Sequence, residues 1–406
     1  MEQVQTMQYE QKKQPSSFFQ EKGATLITGA TGLLGCHIAV ELLQKGHRII
    51  VLIRNKGNLS ADQRFHSLCD FMGLSNSETS TVRIVEGSLE QQHFGLEKSV
   101  YEELCNQTER IIHCAGNTTF SEKKRVESER DNITGLENIL DFARNSMSSW
   151  FHLISTIYSA GVKAGICEEK INESGMFINV YEELKSQGER MTRKFCSENC
   201  IGFTIIRPSI VVGNSCNGRT FRFNGLYYPL KALILIRDIF QHDLLSSQGK
   251  RAQQMSISCE NGTVNLPLRL EYNPDEGINF VPIDFVVTVI NSIIQQPKDG
   301  YIYHIAAKNN VTIPDLIDFT HKYFNIKGLT TVNTGFFLKH SKTPLECLFD
   351  KYIEPYLPYM KDRRKFSTEN TDTLINSRGI TCPIFDYVLF CRCMKFALKN
   401  NWGKAL

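Results

Sequence analysis

The 406-residue sequence predicts an α/β fold, a parallel doubly wound sheet joined to a smaller C-terminal lobe. Three observations carry that prediction. Two aliphatic runs frame a glycine-rich turn near the N-terminus, strand-like and helix-like segments then alternate, and the alternation breaks after Gly218. Parallel strands buried on both faces need near-continuous apolar residues, and each return to the sheet needs a crossover helix. A wound α/β layer meets both needs.

Taken in order, residues 1–22 are glutamine-rich and aperiodic and read as a flexible leader. The domain expected at 23–218 opens with an apolar strand around Leu26 and Ile27, a turn containing Gly29, Gly32 and Gly35, and an amphipathic helix ending near Gly46. Residues 48–53 are almost all β-branched or aliphatic, as a buried parallel strand should be. This βαβ unit, with glycines spaced Gly-x-x-Gly-x-x-Gly after Thr28, is a Rossmann-type dinucleotide turn: it permits close backbone approach to a pyrophosphate at a helix N-terminus. Arg54 ends the second strand where an NAD site usually carries an acid, so its guanidinium suits a 2′-phosphate and points to NADPH.

Residues 55–80 are polar and helical in places, and include Arg64. Strands are expected at 82–86, before Gly87-Ser88-Leu89, and at 110–114, before Ala115-Gly116. A helix at 131–145 places Ile133, Leu136, Ile139 and Leu140 on one face. A strand at 150–154 precedes Ser155-Thr156, a helix carries Tyr181 and Lys185, and a strand at 203–206 ends in Arg207-Pro208-Ser209. A substrate lobe is expected at 219–278, a return to the sheet domain at 279–325, and a C-terminal substrate lobe at 326–406 with a final helix at 387–400.

Hydrophobic content of 41%, charged content of 22% and a net charge of +3 exclude a polybasic nucleic-acid binder. The thirteen cysteines are scattered and form no C-x-x-C pair of zinc spacing, which implies reduced thiols, a cytoplasmic location and no metal site. The N-terminus lacks an apolar core segment, and Lys231 and Arg237 interrupt the longest apolar stretch, so neither a signal peptide nor a transmembrane segment is expected.

Tyr181 and Lys185 lie one helical turn apart on one face. With Thr156 upstream they supply what hydride transfer to a carbonyl needs: a hydroxyl acid, a cation that lowers its pKa, and a second hydroxyl. The segments TGATGLLG from Thr28, HCAGNTTF from His113, DNITG from Asp131, LISTIYSAG from Leu153, YEELK from Tyr181, IIRPSIVVGNSCNG from Ile205 and NFVPIDFV from Asn279 resemble the extended short-chain dehydrogenase/reductase superfamily. Within it the sequence is most similar to the thioester reductases: the reductase domains of nonribosomal peptide and polyketide synthases, carboxylic acid reductases and fatty acyl-CoA reductases.

That resemblance implies NADPH-dependent reduction of an acyl thioester to an aldehyde, with a second round giving an alcohol. Tyr181 is the implied acid, Lys185 lowers its pKa, and Thr156 shares the oxyanion. The acyl group is expected on coenzyme A or a separate acyl carrier protein, with its chain bound by the lobes. The resemblance assigns Thr28, Gly29, Thr31, Gly32, Leu33, Leu34 and Gly35 to the pyrophosphate turn, and Arg54 and Arg64 to the 2′-phosphate. It assigns Ser88 and Leu89 to the adenine region, Ala115, Asn117 and Asn132 to the cofactor's length, and Pro208 and Ser209 to the nicotinamide end. Ser88 stands where the family usually has an acid.

Three rivals share parts of this pattern. A nucleotide-sugar epimerase or dehydratase has the same turn and Tyr/Lys pair but mostly holds NAD, against which Arg54 and Arg64 argue; a reductase of free carbonyls is scarcely separable; an NADP-sensing binding protein has no need of Thr156, Tyr181 and Lys185. The remaining features read as structural. His113 is a packed histidine, Cys196 and Cys200 share a helix face in the core, Tyr227, Leu230, Leu233 and Leu235 are core of a helical lobe, and the basic runs 123–125 and 361–365 are solvated faces.

Overall fold

A computed structural model describes residues 23–163, 165–173, 175–246 and 249–404; the expected leader at 1–22 lies outside the described residues. Seven strands, β1 Ala24–Thr28, β2 Ile49–Ile53, β3 Arg83–Glu86, β4 Thr108–His113, β5 Trp150–Ile154, β6 Gly202–Pro208 and β7 Tyr301–Ile305, form one sheet ordered β7-β6-β5-β4-β1-β2-β3. Every pairing in it is parallel. The order reverses between β1 and β4, and at such a switch point the strands' carboxyl ends leave a crevice for a ligand.

Successive residues of β1 face opposite layers. Leu26 packs with Phe94, Phe142 and Phe151, whereas Ile27 packs with Ile38, Val40 and Ile290. Both layers are apolar, so all five residues of β1 and all five of β2 are buried. The helices Leu33–Gln44 and Ile283–Gln295 cover one face, and Gly135–Asn145 and Val180–Glu198 cover the other.

The helix expected at 131–145 begins with a π turn over Arg130–Thr134 before the regular Gly135–Asn145 segment. The wider turn leaves Ile133 half-buried while bringing Asn132 inside, a distortion that often accompanies functional sites.

The smaller lobe is mixed rather than wholly helical. The strands Ser258–Glu260, Thr263–Tyr272 and Ile326–Asn333 make a three-stranded sheet with Thr263–Tyr272 in the centre. On it pack the helices Tyr227–Ser246, Ile313–Phe324, Pro344–Ile353 and Tyr387–Lys399, around a core that includes Leu230, Leu268, Phe280, Phe349 and Phe390. Tyr227, Leu230 and Leu233 are in that core, whereas Leu235 is 45% exposed.

Two structural readings are corrected. Cys200 lies beyond the end of the Val180–Glu198 helix, with a left-handed φ of 56°, so it is exposed and shares no helix face with buried Cys196. The run 361–365 is a solvated face only in part: Lys361, Arg363 and Lys365 are exposed, but Arg364 is not. Arg364 is 4% exposed in the strand Arg364–Phe366, which pairs with Gly165–Cys167, and its guanidinium bonds Asp362 and Glu182. Lys361 and Arg363 pair with Glu271 and Glu276. Apart from Asp362, which lies within the run, the acids that meet these charges are distant in sequence, which a local reading of composition does not reveal.

Candidate active site

The glycine turn is built by close backbone approach. Gly29 has φ +70°, and a Cβ there would lie 2.5 Å from the Ala115 nitrogen; a Cβ on Gly35 would lie 2.3 Å from the Gly29 oxygen. The turn thus closes onto the carboxyl end of β4. Thr28 fastens the same junction: its hydroxyl is 2.8 Å from His113 Nδ1 and accepts from the Ala115 N–H at 3.3 Å. His113 is a packed, side-chain-bonded histidine, and burial lowers its pKa to about 3.

Beyond the turn lies a polar groove of about 1380 Å³ including its open mouth, lined by Gly29, Thr31, Gly32, Arg54, Arg64, Ser88, Leu89 and Ala115. The helix Leu33–Gln44 starts from Gly32 with no side-chain cap, leaving its first N–H groups available at the positive end of the helix. Leu33 and Leu34 begin that helix, with Leu34 against the apolar core. Uncapped N–H groups, a close-packed glycine turn and neighbouring guanidinium groups fit a dinucleotide phosphate chain. Lys56, Glu90, Asp131 and Arg222 line the same groove and were not singled out from sequence.

Asn132 does a different job from Asn117. Its amide donates to the Asn117 carbonyl and accepts from the Asn117 N–H, each at 3.0 Å. That clamp fixes the loop after β4, while the Asn117 side chain donates to Asp131 at 2.9 Å. At the far end, Pro208 closes β6 and the Ser209 hydroxyl donates to the Asn279 carbonyl at 2.7 Å.

The helix Val180–Glu198 is capped by Asn179, which accepts from the Glu182 N–H at 3.1 Å. This places Tyr181 in the first turn and Lys185 one turn on. Burial raises the Tyr181 pKa to about 12, with the neighbouring Thr156 hydroxyl acting in the opposite direction. The adjacent hydroxyl points elsewhere. Ser155 donates to buried Glu189 at 2.5 Å, Ser159 does so at 2.7 Å, and Glu189 pairs with fully buried Arg207. Lys185 donates to the Ile154 carbonyl at 3.1 Å, and burial lowers its pKa to about 8 against the raising influence of Cys114 and Glu189. A Cβ on Gly116 would lie 3.1 Å from the Lys185 ammonium, so the missing side chain there makes room for it.

Residues 27–290 match the model of the Male sterility protein family, an NAD-binding domain. The chain belongs to this family. This family member is 28% identical over 232 residues to the L-2-aminoadipate reductase large subunit of Penicillium chrysogenum, covering 52% of this chain and 16% of that protein. It is 25% identical over 349 residues to the probable fatty acyl-CoA reductase 4 of Arabidopsis thaliana, covering 74% of this chain and 70% of that protein. The chain spans 10% and 16% of the length of the two L-2-aminoadipate reductase large subunits it matches. The crystal structure of the terminal R domain from the myxalamid PKS-NRPS pathway has a TM-score of 0.71 at 20% identity, covering 94% of this chain and 92% of that one. The chain therefore carries an NAD(P)-binding domain of an oxidoreductase family, with the fold of the R domain.

In this reductase domain an aromatic wall stands beside Tyr181. The Phe120 ring centroid lies 5.8 Å from that of Tyr181, 5.6 Å from Tyr356 and 5.4 Å from Tyr359. Tyr356 and Tyr359 also line a narrow apolar pocket in the lobe, about 740 Å³ with its mouth, whose other walls include Leu230, Leu233, Ile278 and Phe280. Asn179 donates to the Tyr359 hydroxyl at 2.8 Å, so the C-terminal segment is fixed to the start of the helix that carries Tyr181. Sequence reasoning missed this wall and the Glu189–Arg207 pair. Phe120 and Arg207 lay inside recognised segments without an assigned task, while Tyr356 and Tyr359 carried no local signal at all.

Proposed function

We propose that this chain reduces an acyl thioester, carried on coenzyme A or a carrier protein, to an aldehyde, with NADPH as reductant. The observation that supports this reading most is the neighbourhood of Tyr181: Thr156 beside it, Lys185 one turn on against Gly116 of the polar groove, and Phe120 joining it to Tyr356 and Tyr359 of the apolar pocket. Bound NADPH supplies a hydride to the carbonyl carbon. Tyr181, which keeps its proton at neutral pH, donates it to the carbonyl oxygen as negative charge develops there, and Thr156 offers a second donor. Lys185, a cation below about pH 8, favours the release of that proton. The resulting hemithioacetal then breaks its C–S bond to give an aldehyde and a thiol.

The remaining parts take binding roles. Gly29, Gly32 and the helix N-terminus hold the pyrophosphate, Arg54 and Arg64 favour a 2′-phosphate, and the apolar pocket accepts the acyl chain behind Phe120, Tyr356 and Tyr359. A relative named as a fatty acyl-CoA reductase supports coenzyme A as one carrier. Among the described residues no helix is long and apolar enough to cross a membrane. The thirteen free cysteines fit a reducing cytoplasm, where we place the protein.

The test follows NADPH oxidation with a panel of acyl-coenzyme A and acyl-pantetheine thioesters, trapping aldehyde and titrating released thiol. Turnover with thiol release is expected. Activity confined to free carbonyls would sink the thioester reading, and unchanged turnover by Tyr181→Phe would remove Tyr181 as the acid.

A further inference from the structure

We infer that Arg222, on the linker between sheet domain and lobe, is a ligand of the cofactor's 2′-phosphate, acting with Arg64 across Thr31. The inference rests on the NADPH reading. Three guanidinium groups line one groove: Arg54, Arg64 and Arg222. Their charge states of compensation differ. Arg54 bonds Glu90 at 2.6 Å and lies 3.7 Å from Asp131, and Glu90 is shared with Arg130 at 2.8 Å. Arg64 instead donates to the Thr31 hydroxyl at 3.0 Å and to the Arg54 carbonyl, both uncharged acceptors. Arg222 reaches the Thr31 carbonyl at 3.5 Å. Among the described residues neither Arg64 nor Arg222 has a carboxylate at ion-pair distance.

Two uncompensated cations held on either side of one threonine repel each other; burial first, then Arg54 and Arg222, push the Arg64 pKa down. A dianionic phosphate between them would relieve that repulsion, with planar guanidinium groups suited to its oxygens. The base of Arg222 is already positioned. Phe221 stacks on His37 of the first helix at 5.9 Å and meets Phe71 edge-on at 5.7 Å, so the linker is packed against the sheet domain at this point.

Calorimetric titration with adenosine 2′,5′-bisphosphate and with 5′-AMP isolates the 2′-phosphate without any catalytic step. The wild type is expected to prefer the 2′-phosphorylated ligand, and Arg222→Ala to lose about tenfold affinity for it while binding 5′-AMP within about twofold of wild type. Arg222→Lys should recover part of the loss. Arg222 is exposed, so the variant should melt as the wild type does. Equal affinity of variant and wild type for the 2′-phosphorylated ligand would overturn the inference, as would an equal loss for both ligands, which would move Arg222 to the 5′-phosphate. A wild type with no preference would overturn the NADPH reading itself and this inference with it.

Discussion

Lys185→Met should make the protein more stable at neutral pH while crippling it as a catalyst. Burial lowers the lysine's pKa from 10.5 to about 8. At about 1.4 kcal/mol per tenfold change in proton affinity, the charged side chain opposes folding by about 3 kcal/mol. Lys185 keeps part of its surface exposed, so water screening makes that figure an upper bound. Removing the ammonium also takes a donor from the Ile154 carbonyl, which costs about 1–2 kcal/mol. The net expectation is a gain of about 1 kcal/mol at pH 7, or a rise of about 2–4 °C in melting temperature for a domain of this class. The sign changes with pH in a defined window. A base whose pKa is depressed in the folded state carries its full penalty below the folded value and sheds it as pH rises from about 8 towards 10.5, because there the unfolded chain binds more protons. Melts of both proteins at pH 7 and pH 10.5, beside NADPH turnover, test this. A variant less stable than wild type at pH 7, or a stability gap that stays constant across the window, would refute the reasoning.

Two further outcomes separate catalytic from structural groups. Thr156→Val should lose about 1 kcal/mol with its cap on the Tyr158 N–H and about 100-fold in turnover, as removal of an oxyanion donor does; Ser155→Ala, which unbinds only Glu189, should lose about 1 kcal/mol of stability in urea unfolding and keep its turnover. Leu233→Trp should fill the apolar pocket, so that kcat/KM falls steeply with acyl length while acetyl and propionyl thioesters remain substrates; an unchanged chain-length profile would exclude the pocket as the acyl site.

What could be read from sequence follows from how far each signal extends. The strands β1 and β2 were legible because burial on both faces leaves almost no polar residue in them, and the glycine turn because its spacing is local. The choice between Ser155 and Thr156 lay within one dipeptide; the structure shows the reason for their divergence, since Glu189 on the Val180–Glu198 helix captures Ser155 and Ser159 and turns them from the groove. The strand Thr263–Tyr272 does alternate, with Val264, Leu266 and Leu268 buried, but Pro267 sits inside it and reads as a breaker. The register shifts between Asn265 and Leu268, so the missing N–H falls at an irregularity in the ladder with Ile326–Asn333. Arg364 and Glu182 are 182 residues apart, and no window along the chain joins them.

The Arg364–Glu182 pair also limits how this protein can be taken apart. Glu182 is the neighbour of Tyr181 and is fully buried, while its cation comes from a strand well beyond residue 290, where the family match ends. A fragment trimmed to the match would lose β7, bare the edge of β6 and remove the cation that pairs with Glu182. Modularity in this chain therefore does not follow the boundaries of the nucleotide-binding unit. A chimaera that exchanges the lobe for that of a relative must bring a matching residue opposite position 182, or it will disturb the helix start that carries Tyr181.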